Sequence, residues 1–143
     1  MADAAACLEA LLDGTADAVA TDHAPHTIVD KQVEFGLAAN GISGIETALG
    51  LLLAAVHADR LPLARAIEAL TAGPARVLGS SFGRPIGLVE GQPADLVVFD
   101  RSEPWTVGAD TLRSRGKNSP LVGRELSGRV LLTVASGRVA YTT

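Results

Sequence analysis

An aspartate and two histidines, Asp22, His23 and His26, share the hexapeptide Thr21-Asp22-His23-Ala24-Pro25-His26. Carboxylates and imidazoles bind metal ions and move protons near neutral pH, so this stretch is where chemistry would be carried. It follows the short apolar run Ala18-Val19-Ala20, which places Asp22 at the end of a strand, where α/β enzymes keep their reactive groups. Other readings stand beside the catalytic one. An aspartate at a strand end also makes an Asx turn or caps a helix. His23 and His26 could form a local zinc pair, but Pro25 lies between them and a zinc site uses three or four protein ligands. Lys31 either draws an anionic ligand or is a solvated loop lysine. His57 reads as a helix cap or surface histidine, and Cys7 as a small core residue.

The elements that must position these groups follow from pattern. Asp3 to Leu12 is Ala-rich, with Leu8, Leu11 and Leu12 on one side, and predicts a short helix closed by Asp13-Gly14. Ala16 to Thr21 lacks polar alternation apart from Asp17 and suits a strand covered on both faces. His26 to Gly41 is irregular and polar, a long loop. Ser43-Gly44-Ile45-Glu46 has capping-box spacing and predicts a helix start, followed by an apolar stripe of Ile45, Leu49, Leu52 and Val56. A second helical stripe, Leu63, Ile67 and Leu70, is expected to end at Gly73-Pro74.

A Gly, Pro and Ser-rich stretch from Gly79 to Pro93 marks a boundary near residue 80. This divides the chain into 1–79 and a β-rich 80–143. In the second part, Leu96-Val97-Val98-Phe99 reads as a buried strand. Val130 to Val134 and Arg138 to Tyr141 flank Ala135-Ser136-Gly137 as a hairpin.

Composition narrows the function classes. The 143 residues, 48% hydrophobic, supply one ordinary core and too little chain for a complete (β/α)8 barrel of about 250 residues. A net charge of -4 with twelve scattered basic residues argues against a nucleic-acid partner. The apolar stretch Thr47 to Val56 is roughly half the length a bilayer span needs, so no membrane partner is expected. Asp3 and Glu9 stand where a signal peptide would be basic and apolar, and the single cysteine fits a reducing compartment. The expected location is cytoplasmic.

Thr21 to His26, with Lys31, Phe35 and Gly41-Ile42-Ser43-Gly44-Ile45-Glu46-Thr47 after it, resembles the last active-site strand and loop of dihydroorotase, a zinc amidohydrolase. Asn118-Ser119-Pro120-Leu121-Val122-Gly123 extends the likeness to the long form. Gly87, Gly91 and Ala94 to Asp100 resemble the entry of amidohydrolases into their small terminal β domain. The resemblance implies an α/β fold: the C-terminal fragment of a (β/α)8 TIM-like barrel (last strand, loop and helices) plus C-terminal strands of the small β-sandwich domain.

It also implies an activity, reversible hydrolysis of dihydroorotate to N-carbamoyl-aspartate in pyrimidine synthesis. Zinc would lower the pKa of a bound water to about 7 and polarise the ring carbonyl. By resemblance Asp22 is a metal ligand and the acid/base that delivers a proton to the leaving nitrogen, and His26 binds the substrate carboxylate. Backbone groups of Ala39, Asn40 and Gly41 would contact the ring's carbonyl and N-H. The family's other metal ligands, a His-x-His among them, have no counterpart here, so the chain is expected to be inactive alone and to need the missing barrel portion or a homo-oligomer. The alternatives are a non-catalytic scaffold subunit, for instance beside aspartate carbamoyltransferase, or another cyclic amidohydrolase such as a hydantoinase or allantoinase.

Overall fold

Alanine loses least on entering a helix, and the Ala-rich start of the chain forms α1, Ala2–Asp13, in a computed structural model that describes residues 2–143. Asp13 closes it by accepting the Thr15 N-H at 2.8 Å. Only its last turns meet the rest of the fold. Leu8 and Leu11 therefore pack inward, while Leu12 and Cys7, both expected in the core, stay exposed because nothing lies opposite them.

The strand expected over Ala16 to Thr21 does not form. A strand pattern becomes a strand only when a neighbour supplies hydrogen bonds, and among the described residues the segment has just scattered ones. Val19 N-H donates to the Ala69 carbonyl at 2.9 Å, and His23 makes one isolated parallel bridge with Ile42.

A single turn, α2 (Ile28–Lys31), opens the loop, and the helices α3 (Ala48–His57), α4 (Leu63–Leu70) and α5 (Ala72–Leu78) follow. Three expectations are corrected here. Helix α3 begins at Ala48, preceded by Thr47, because Ser43 and Glu46 are drawn to partners far along the chain. Its buried residues are Gly50, Leu53 and Ala55, whereas Ile45 is 58% exposed. Gly73-Pro74 opens α5 instead of ending the preceding helix. Proline fits there because first-turn N-H groups have no intrahelical partner.

Leu11, Ala55, Leu61, Ala66 and Ala69 make the helical core, with Leu52, Val56 and Val19 packed against it. The small side chains at 55, 66 and 69 let the helices approach closely. Arg65 locks the arrangement from its half-buried position: its Nε donates to the Leu11 carbonyl at the end of α1 at 2.6 Å, and its Nη1 pairs with Glu68 at 2.9 Å. Hydrogen bonds from Arg76 and Arg65 hold the Glu68 carboxyl below the usual carboxylate range.

After a 3-10 turn over Gly79–Phe82, the strands β1 (Leu96–Thr106), β2 (Glu125–Ala135) and β3 (Arg138–Thr142) form an antiparallel sheet in that order. The β2–β3 hairpin turns at Ser136-Gly137, both at positive φ (51° and 75°), the geometry that matches the twist of flanking strands. Asp95 reinforces it by accepting the Ser136 N-H at 2.6 Å and pairing with Arg84. The β1–β2 register shifts between Val98 and Phe99 and again between Asp100 and Pro104, where proline offers no ladder donor. Val97 and Val98 stand about half exposed, so the run expected to be a buried strand is a strand without cover among the described residues.

Helix α3 lies against β2 and joins the helical core to a second cluster of Val107, Leu112 and Leu126. Gly50 faces the Leu126 side chain, and Leu53, fully buried, covers Gly128. The molecule is thus a mixed α/β unit of helices and a small antiparallel sheet, with α3 as its seam. Truncating Leu53 to alanine should lower unfolding stability by about 3 kcal/mol, because the cavity opens over Gly128, which has no side chain to fill it. A urea melt of Leu53→Ala checks this, and a midpoint equal to wild type would show that α3 is not seated on β2.

Candidate functional site

Asp22 ends the extended run 16–21 with φ at +43°, a left-handed conformation uncommon for a residue other than glycine and least costly for aspartate and asparagine. The turn leaves Asp22 exposed, and among the described residues its carboxylate makes no hydrogen bond or ion pair.

His23, next to it, is engaged. Its Nδ1 accepts from the backbone N-H groups of Gly44 (3.2 Å) and Ile45 (3.3 Å). Two donors aimed at Nδ1 leave the proton of the neutral ring on Nε2. His23 thus fastens the hexapeptide to the turn that leads into α3.

His26 binds at two points. Its N-H donates to Asn118 Oδ1 at 2.8 Å, and its ring Nε2 lies 2.7 Å from the Asn40 carbonyl oxygen. A carbonyl only accepts, so Nε2 carries the proton and Nδ1 of the neutral ring is an acceptor. The segment Ala39–Asn40–Gly41 is thereby brought to His26. The same segment is gripped by Lys31, whose half-buried Nζ donates to the carbonyls of Ala39 (2.6 Å) and Gly41 (3.1 Å). Lys31 is therefore neither a free cation nor a solvated one.

The loop between these groups is shaped locally at Thr27. Here, and not at Ser43-Glu46, the capping box forms: Thr27 Oγ1 accepts the Asp30 N-H at 3.3 Å while Asp30 Oδ2 accepts the Thr27 N-H at 3.1 Å and its hydroxyl at 2.6 Å. The hydroxyl and then the N-H of Thr27 hold the Asp30 carboxyl below its ordinary range, with the charge of His26 a lesser contribution.

Asn118 joins the parts. Its Nδ2 donates to the carbonyls of Ala24 (3.1 Å) and Gly41 (3.2 Å), and its Oδ1 accepts the His26 N-H. The Ser43 hydroxyl lies 2.9 Å from that Oδ1 and 2.7 Å from the Gly116 carbonyl, and gives its one proton to either. Two positions then admit glycine alone. A Cβ on Gly116 would lie 2.7 Å from the His26 nitrogen, and one on Gly41, at φ +107°, would lie 2.4 Å from Ala24 Cβ. Glu46 completes the junction by accepting the N-H groups of Arg113 (2.6 Å) and Ser114 (2.8 Å).

Sequence reasoning missed the roles of Lys31, Asn118 and Glu46. Asn118 had been noticed only as part of a resemblance, and its partners are too distant in the chain for any local pattern to show them. Asp22 makes no hydrogen bond to His26, Lys31 or the segment 39–41. Among the described residues no group of three or more His, Cys, Asp or Glu side chains could hold a metal ion. The zinc that the resemblance implies is thus not held by these residues alone, since Asp22 offers a single carboxylate. A cavity of about 470 Å³ lies elsewhere, against Trp105, Arg113 and Tyr141.

The model of the amidohydrolase family matches residues 2–140. A dihydroorotase from Anaeromyxobacter dehalogenans is 51% identical over 140 residues, covering 97% of this chain and 31% of that protein. Among solved structures, L-hydantoinase (dihydropyrimidinase) from Arthrobacter aurescens is 32% identical with a TM-score of 0.82, over 95% of this chain and 31% of that one. D-hydantoinase (dihydropyrimidinase) from Thermus sp. is 30% identical with a TM-score of 0.83, over 96% of this chain and 31% of that one. The chain spans 31% of the length of these relatives.

Asn118→Asp keeps the acceptor oxygen but sets a carboxylate against two carbonyls. It should cost about 1–3 kcal/mol and release the His23–Ile42 pairing, read by denaturant melts and amide exchange; wild-type values for both would refute the clamp. Acid should loosen α2. Because the Asp30 carboxyl titrates lower in the folded chain, the stability from its cap is complete above the unfolded value of 3.8 and is lost as pH falls through the lowered folded value. A titration following the Thr27 amide resonance should show this loss, and Asp30→Asn should abolish it.

Proposed function

The chain belongs to the amidohydrolase family, and from that premise we propose that it supplies the last active-site strand, loop and helices of a dihydroorotase. In this reading 1–79 completes a TIM-like barrel and 80–143 contributes strands to the small β-sandwich domain. The observation that carries it is the 51% identity to a dihydroorotase over 140 residues, against 30–32% to hydantoinases of closely similar fold. A hydantoinase or dihydropyrimidinase activity is the second reading, favoured by TM-scores of 0.82 and 0.83. Fold likeness does not choose a substrate, and the identity difference supports the first reading.

Hydrolysis of a cyclic amide forms a C–O bond at the ring carbonyl and breaks the C–N bond. The group needed at that point takes a proton from the attacking oxygen and returns one to the leaving nitrogen. Asp22 fits this role because its carboxylate is exposed and uncommitted, held at a sharp turn rather than on a free loop. It would also give one oxygen to a zinc centre whose remaining ligands come from the rest of the enzyme. His26, through its ring, and the segment 39–41 would hold the substrate. The whole enzyme would work in the cytoplasm, in the pathway that makes pyrimidines. By itself the chain would be inactive, since the described residues supply too few metal ligands.

The test is a chimera in which this chain replaces the matching 140 residues of the Anaeromyxobacter dehalogenans dihydroorotase. It should hydrolyse dihydroorotate, and Asp22→Asn in that chimera should lower kcat by roughly 10²–10⁴-fold. A chimera that opens hydantoin or dihydropyrimidine rings while leaving dihydroorotate untouched would overturn the reading in favour of the second.

A further inference from the structure

Three successive peptide carbonyls in the segment 39–41 are drawn towards donors of this chain. Lys31 Nζ takes those of Ala39 and Gly41, the His26 ring takes that of Asn40, and Asn118 Nδ2 adds a second donor to that of Gly41. A peptide unit is planar and trans, so its N-H points away from its C=O. Turning the Ala39 carbonyl to Lys31 therefore turns the Asn40 N-H the other way, and turning the Asn40 carbonyl to His26 does the same for the Gly41 N-H. The Ala39 N-H is already spent on the Asp30 carbonyl at 3.0 Å, whereas the N-H groups of Asn40 and Gly41 have no partner among the described residues.

We propose that Lys31 is a positioning residue that, by holding the Ala39 carbonyl, turns the Asn40 N-H outward beside the Gly41 N-H set through His26, making a pair of donors for the carbonyl oxygens of a ring-shaped substrate. This inference rests on the function proposed above and deepens it by naming the group that sets the donor pair. The ammonium suits the task, because it has three donors and no acceptor, so it holds two carbonyls at once and repels neither. Its charge also polarises the peptide groups it binds, which strengthens their N-H ends as donors. A neutral side chain of the same length would free the Ala39 carbonyl to rotate outward, the Gly41 carbonyl staying on Asn118, and the segment would then meet a ligand carbonyl with an oxygen of its own. Charge alone does not suffice, since both bonds come from one nitrogen within reach of residues 39 and 41 together. The arrangement thus selects ligands rich in acceptors along the edge that faces this segment, such as a cyclic imide or ureide.

The measurement is steady-state kinetics of Lys31→Met and Lys31→Arg in the active chimera, with dihydroorotate as substrate. Lys31→Met should raise KM roughly tenfold or more with kcat within about threefold of the unsubstituted chimera. Lys31→Arg, which keeps the charge and several donors, should recover most of the loss. In the 143-residue chain, Lys31→Met should speed amide exchange at Ala39 while leaving Gly44, bonded to His23, protected. An active chimera whose KM is unchanged by Lys31→Met overturns this inference alone, as does a lowered melting temperature with unaltered KM, the mark of a loop staple. An unsubstituted chimera that leaves dihydroorotate intact counts against the proposed function itself.

Discussion

One primary amide governs the arrangement of the site. The side chain of Asn118 meets the carbonyls of Ala24 and Gly41 with its two N-H bonds and the N-H of His26 with its oxygen. Exchanging its oxygen and nitrogen would set donor against donor at His26 and acceptor against acceptor at Ala24 and Gly41, so the amide has one orientation only. Three stretches that lack regular secondary structure are thereby held in mutual register without a sheet. Gly116 makes this possible, since its backbone comes so close to Pro25 and His26 that no side chain fits between them. Buried polar groups need their partners, and here the need is met by one side chain serving several backbones.

The two apolar clusters depend on a different device. Helix α3 turns one set of residues, Leu52 and Ala55, to α4 and the other, Gly50 and Leu53, to the sheet. Close approach on both sides follows from small residues at the contacts. Another face of the helical layer, lined by Val19, Ile45, Leu49, Leu70 and Val77, is apolar and open. It adjoins the extended run 16–21, whose pattern reads as a strand.

Much of the fold was legible because its causes are local. The Ser136-Gly137 hairpin, the alanine-rich first helix and the two helices after residue 47 express preferences that act over a few residues. The errors share one origin. Ser43 and Glu46 have the spacing of a capping box, yet the serine finds partners at 116 and 118 and the glutamate finds backbone N-H groups at 113 and 114. Local spacing states what a residue could bond, and the tertiary fold decides what it does bond. Thr27 and Asp30 fulfil the same motif because nothing competes for them. Ala16 to Thr21 shows the complement: the pattern is that of a strand, but strandhood belongs to a pair. In the site, Asp22 and His26 were visible by type and position, and the segment 39–41 by resemblance. Lys31 and Asn118 were not, since their meaning lies in carbonyls whose directions no sequence pattern records.

The bond from His26 to Asn118 spans 92 residues of chain. A contact of that separation closes a long loop, and its entropic cost must be met before the bond contributes. Residues 24–26 precede residue 118 in synthesis, so the clamp on His26 forms only once residue 118 is present. The bonds of His26 to Asn40 and of Lys31 to Ala39 close over only 14 and 8 residues, so the clamp at Asn118 is the long-range member of the set. The loop-closure cost of the site thus rests on the bond between a histidine and the asparagine that holds it.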